Sequence, residues 1–88
     1  MRTGSPNLIV KVFVTPRQGI LDPQGRAAEG ALKSLGFTNV DSVRVGRYIV
    51  LDIAAPSAGA AADEAKKMCE QLLVNPLIED YRFEVDDA

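Results

Sequence analysis

The sequence predicts a small α+β domain of order β-α-β-β-α-β, an antiparallel sheet with two helices on one face that oligomerises through the sheet. Three observations predict it. Apolar residues alternate with period two at the two ends and around position 50, but recur with helical spacing at 23–35 and 60–74. Each helical stretch is bracketed by its own start and stop residues. Eighty-eight residues suffice for one core, burying about 60–65% of the unfolded surface, a marginal fraction for a domain standing alone.

Residues 1–6 are small and polar with nothing to bury, so 1–7 is expected to be a flexible tail before a single domain at 8–88. Residues 8–15 form the first strand. Leu8, Val10, Val12 and Val14 make one wholly aliphatic face, and Ile9, Lys11, Phe13 and Thr15 make the other. Residues 16–21 are a loop turning at Gly19. Asp22 suits an N-cap and Pro23 the position after it, where the missing N–H is not needed. The helix runs to about Leu35, with Ala28, Ala31, Leu32 and Leu35 as a narrow stripe that approaches the sheet closely. Gly36 closes it in the left-handed conformation. Gly25 costs helix stability, and the sequence leaves two readings open. Either another backbone approaches it, or it is a tolerated glycine near a frayed end.

Residues 37–53 read as two strands around Gly46, with Val43 and Val45 facing the apolar triplet Ile49, Leu51 and Ile53. A three-residue loop at 46–48, or a glycine bulge, pairs Val45 with Ile49 and Val43 with Leu51, since register follows the buried face. After a linker holding Pro56, Ser57 and Gly59, the second helix runs to about Val74. Ala61, Ala65, Met68 and Leu72 form its stripe, widened by Ala62, Cys69 and Leu73. Asn75-Pro76 stops it. The last strand, 77–85, alternates Tyr81, Phe83 and Val85 against Arg82 and Glu84. The sheet face left open by the helices carries Ile9, Phe13, Tyr48 and Val50 among Lys11, Arg44, Asp52, Arg82 and Glu84. That much apolar area predicts a homodimer or higher assembly that uses this sheet face or an edge strand.

Composition narrows the function. A net charge of −2 argues against a nucleic-acid partner, whose phosphates demand excess Lys and Arg. No run reaches membrane-spanning length, and no signal-peptide core is present. One cysteine excludes an internal disulfide, which suits the cytoplasm. The complete lack of histidine removes the commonest acid–base catalyst and metal ligand together. Cys69 sits on a helical apolar stripe and is read as a packing residue. Ser42, Ser57 and Thr15 have no base in a recognisable pattern. Asp22 is a cap, and Asp63, Glu64, Glu79 and Asp80 read as solvated or dipole-compensating charges. The glycines form no phosphate-binding motif of known spacing. No residue is assigned as catalytic, cofactor-binding or metal-binding. Arg17, Arg26, Arg44 and Arg47 are either solubilising charges or a docking edge for an acidic surface.

The runs V-K-V-F-V-T-P at 10–16, G-I-L-D-P-Q-G at 19–25, V-R-V-G-R-Y-I at 43–49 and M-C-E-Q-L-L-V-N-P-L-I-E-D-Y at 68–81 resemble the PurS family, in order and spacing, over most of the chain. That family supplies the small subunit of bacterial phosphoribosylformylglycinamidine synthase in purine biosynthesis. The resemblance implies a noncatalytic, homodimeric or higher-order adaptor. It would bridge a glutaminase subunit (PurQ-like) and a large synthetase subunit (PurL-like) that carries the ATP and magnesium. Departures are a few extra residues before the first strand, Arg17-Gln18, where the family often has lysine-proline, and the alanine-rich stretch at 54–62. Partner contacts are expected at Asp22, Pro23, Gln24, Gly25, Arg44, Gly46 and Arg47, because loops and strand ends carry recognition more often than cores do. Self-association is expected at Ile9, Phe13, Tyr48 and Val50. The same element order also suits an acylphosphatase-like enzyme or an ACT-like ligand-sensing domain; for the former, Arg17-Gln18-Gly19 only faintly echoes the required anion loop.

Overall fold

Strand β1 (Asn7–Pro16) is the centre of a three-stranded antiparallel sheet, flanked by β2 (Arg47–Ala54) and β3 (Glu79–Asp87). The computed structural model describes residues 7–19 and 22–87; the tail expected before Asn7 and the loop positions 20 and 21 lie outside them. The alternation in β1 sets the core. Leu8, Val10, Val12 and Val14 are buried, and they meet Ile53, Leu51 and Ile49 on one side and Val85, Phe83 and Tyr81 on the other.

Helix α1 (Pro23–Ser34) and helix α2 (Ala58–Met68) complete the α+β arrangement. α2 lies on the β1 core through Ala61 and Ala65, both fully buried, whose small side chains let the helix sit close to the sheet. Its start is capped by the Ser57 hydroxyl, which accepts the Ala60 N–H at 3.1 Å. Beyond Met68 the chain widens into a π-turn over Cys69–Leu73, where the Val74 N–H donates to the Cys69 carbonyl at 3.0 Å. The extra residue in that turn changes the phase of the stripe beyond Cys69, so that Val74 follows it inward. Ala61, Ala65, Cys69 and Val74 point inward, whereas Met68 and Leu72, expected on the stripe, are 38% and 83% exposed. Asn75 then ends the helix as expected: its carbonyl accepts the Ile78 and Glu79 N–H groups, and its side-chain oxygen accepts that of Leu77.

Two expectations are corrected. Residues 37–46 form no strand, so the sheet has three strands instead of four, and Val43 and Val45 do not pair with Leu51 and Ile49. The edge of β2 is taken by β1: Tyr48 lies opposite Phe13 and Ile49 opposite Val12, so no 46–48 hairpin loop exists. β1 offers a longer aliphatic partner than two isolated valines, and that difference decides the pairing. Second, α1 does not lie on the sheet. It stands clear of every other helix and strand, with Ala31 exposed and Leu35 74% exposed. A stripe of alanines and two leucines has too little apolar area to draw the helix inward without a fourth strand beneath it. The Cα radius of gyration, 17.0 Å, accordingly exceeds the roughly 12 Å of a compact chain this long.

The phase of α2 is testable by substitution. Ala65→Leu forces a larger side chain into a fully buried helix–sheet contact and should cost about 1–3 kcal/mol. Leu72→Ala, on the exposed side of the π-turn, should change stability by less than about 0.5 kcal/mol. Urea unfolding of both variants checks the pair.

Candidate functional site

Two surfaces hold the residues that sequence reasoning singled out: the joint from which α1 projects, and the sheet face turned away from α2. The joint is built around Asp22. One carboxylate oxygen accepts the Gly25 N–H at 3.0 Å and caps α1. The other accepts the Val45 N–H at 2.9 Å, so a single side chain also pins the segment returning from the helix. These two backbone donors hold the Asp22 carboxyl below its ordinary value of 3.8, Val45 contributing most and Gly25 next. Gly25 is buried, and a Cβ there would collide with the Val43 carbonyl. The close-approach reading of that glycine is therefore the one the structure takes. Gly46 does the same at the end of β1, where a Cβ would run into the Val14 carbonyl.

A cleft of about 500 Å³ opens at this joint, lined by Arg17, Arg26, Ser42 and Arg44 together with Asp22. Arg44 donates to the Pro16 carbonyl at 3.3 Å. Asp22, Pro23, Gln24, Gly25, Arg44 and Gly46 thus share one region. Arg47 lies apart: it bonds Glu79 at 2.6 Å, and the same Glu79 oxygen accepts the Asn75 N–H. Its first task is to fix where β3 starts.

On the sheet face the expected residues do come together, except Arg44, which lies outside the sheet. Phe13 and Tyr48 face each other across β1 and β2 with ring centroids 5.1 Å apart. The Arg82 guanidinium sits 4.1 Å above the Phe13 ring from the other side. Val50 and Tyr48 are both more than half exposed. Lys11 pairs with Asp86 at 3.0 Å, and that hydrogen bond raises the lysine pKa. Sequence reasoning missed a third patch. Leu35 and Phe37 stand exposed at the far end of α1, where the periodicity signalled only that they needed cover.

Cys69 is fully buried, and burial, followed by the nearby Glu70 charge, pushes its thiol above the ordinary value. A protonated, enclosed thiol packs and does not attack. Among the described residues, no three of the chain's cysteine, aspartate and glutamate side chains converge as a metal-binding group would.

Residues 9–87 match the family model for PurS, phosphoribosylformylglycinamidine (FGAM) synthase. The PurS subunit of that synthase from Bacillus subtilis is 44% identical over 79 residues, which cover 90% of this chain and 93% of that protein. The crystal structure of the purS subunit from Thermotoga maritima superposes with a TM-score of 0.85 at 31% identity, covering 94% of this chain and 95% of that one. A chain of the PurLQS structure from the same organism gives 0.82 at 32% identity, covering 91% and 98%.

The joint gives a pH prediction with a definite sign. Because folding lowers the Asp22 pKa, its contribution is complete above the ordinary 3.8 and fades as pH falls through the lowered value. Hydrogen exchange at the Val45 and Gly25 amides should therefore lose its protection only in that acid range. In Asp22→Ala, both amides should be unprotected at neutral pH, while amides in β1 stay protected.

Proposed function

The chain belongs to the PurS family of phosphoribosylformylglycinamidine synthase subunits, and we propose that it serves that complex as a noncatalytic, homo-oligomeric bridge between a glutaminase subunit and an ATP-dependent synthetase subunit. The observation that carries this reading is the family match from residue 9 to residue 87, nearly the whole chain. The likeness to a chain of PurLQS supports the multi-subunit setting. The acylphosphatase-like and ACT-like alternatives are not favoured, since the matched family and relatives are PurS.

A bridge has a physical purpose in such a reaction. Ammonia released from glutamine is protonated in open water and loses the lone pair with which it attacks. The releasing and accepting sites must therefore be held together in a closed, water-poor register. That task needs shape and surfaces from this chain and no chemistry; ATP and magnesium belong to the large subunit. The expected place of action is the cytoplasm.

Surface area supports self-association. The chain exposes 6256 Å², whereas a compact monomer of 9.5 kDa would expose roughly 5,000 Å². The excess, on the order of 1,200 Å², is comparable to one partner's share of a substantial interface. The Phe13–Tyr48–Val50 face and the α1 arm are the surfaces available for a second copy, with Ile9 at the other end of that face.

Glutamine-dependent synthase activity of the two larger subunits should depend on adding this chain; equal activity without it would remove the bridging role. Tyr48→Asp places a charge on the open face at a position already 57% exposed. Sedimentation should then report a smaller species with an unchanged circular dichroism spectrum. An unchanged mass would take this face out of the interface.

A further inference from the structure

We propose that the cleft at the α1 joint is a binding site for a phosphate group, held by Arg17, Arg26 and Arg44. The three arginines that line it come from three separate stretches of chain: the loop after β1, the first turns of α1, and the segment returning to β2. The bond from the Val45 N–H to Asp22 and that from Arg44 to the Pro16 carbonyl bring these stretches side by side. Asp22 is the single acidic side chain lining it, leaving a formal charge of +2 from three arginines and one aspartate. Both Asp22 oxygens accept backbone N–H groups, and among the described residues no arginine side chain bonds to them.

The arginines themselves are underused. Among the described residues the Arg26 side chain forms no ion pair or hydrogen bond; only its backbone N–H is engaged, with the Asp22 carbonyl at 3.0 Å. Arg44 makes one long bond, to the Pro16 carbonyl at 3.3 Å. Arg17 reaches Asp80 at 3.6 Å, with both side chains about half exposed, a pairing that a better acceptor displaces at little cost. Forked donors at this density suit a tetrahedral oxyanion, which offers more acceptor oxygens than a carboxylate. The concave form favours a small molecule over a protein side chain, because about 500 Å³ lies within the usual range of ligand pockets. An anion bound there would tie the β1 end, the helix and the returning segment together, and so set the angle at which the α1 arm projects.

The test is calorimetric titration of the purified full chain with inorganic phosphate at constant ionic strength. Ribose 5-phosphate and ATP in parallel arms distinguish free phosphate from sugar-borne and nucleotide-borne phosphate. Saturable binding is expected, weakened about ten-fold or more in Arg26→Gln and in Arg44→Gln. Lys67→Gln, on α2 and outside the cleft, should leave it unchanged. Circular dichroism confirms that each variant is folded, and Arg26, whose side chain supports no other contact among the described residues, is the more secure substitution. Absence of saturation with all three ligands up to roughly 10 mM, where even a millimolar site would be mostly filled, overturns the proposal. So does equal weakening by Lys67→Gln, which would mark a general charge effect. Either result would leave the bridging role untouched, because the titration uses this chain alone.

Discussion

One face of β1 carries the fold. Leu8, Val10, Val12 and Val14 are the side chains against which β2, β3 and α2 are all placed. Full burial of each such residue contributes roughly 1.5–3 kcal/mol. A domain whose total stability is of order 5–15 kcal/mol cannot lose one of them cheaply. The helix that closes the face does so with alanines and a cysteine. Larger residues would hold it away from the valines, and the buried surface that makes the sheet worth forming would shrink.

Because that single face is served by α2, α1 has no sheet left to cover. Its position is fixed by polar contacts at its first turn, where Asp22 bonds the Gly25 and Val45 amides and Gly25 admits the Val43 carbonyl. Those contacts fix where the helix begins and leave its far end unsupported. An arm anchored by one carboxylate and two glycine contacts, carrying Leu35 and Phe37 outward, is an arrangement whose apolar end still needs cover. The proposed second copy would provide it, and the same copy would have the aromatic side of the sheet to cover.

The sequence was legible wherever the relevant chemistry is local. The alternation of β1 and β3, the Asp22-Pro23 helix start, the Gly36 and Asn75-Pro76 stops and the open Phe13–Tyr48 face all follow from residues within a few positions of one another, whereas Ser57, read only as part of a linker, caps the second helix. What failed depends on distance. Val43 and Val45 show that a stretch needs apolar cover and not which chain supplies it, so a hairpin was read where none forms. The stripe of α2 was legible in part: Cys69, read as widening it, is buried, but Met68 and Leu72 are exposed, and the π-turn that brings Val74 inward leaves no periodic trace. Asp22 was recognisable as a cap, but its second bond spans 23 residues to Val45 and leaves no periodic trace. The meeting of Arg17, Arg26 and Arg44 was invisible for the same reason.

The edges of the sheet show which side is left available for growth. Both β2 and β3 present one unpaired edge, since β1 lies between them. β3 is dense with charge, carrying Glu79, Asp80, Arg82, Glu84, Asp86 and Asp87 within its nine residues. Charged side chains of this density discourage another strand from pairing alongside. β2 carries only Arg47 and Asp52 among eight residues and is otherwise built of Tyr48, Ile49, Val50, Leu51, Ile53 and Ala54. Arg47 is drawn toward Glu79, away from the outer edge's business of repelling strangers. The unprotected edge therefore adjoins the exposed Tyr48 and Val50 side chains. An edge left open beside an exposed apolar face invites aggregation in a protein meant to remain alone. In the proposed homo-oligomer the same pair of features becomes continuous contact surface, and the partner's presence does the protecting that charge does on β3.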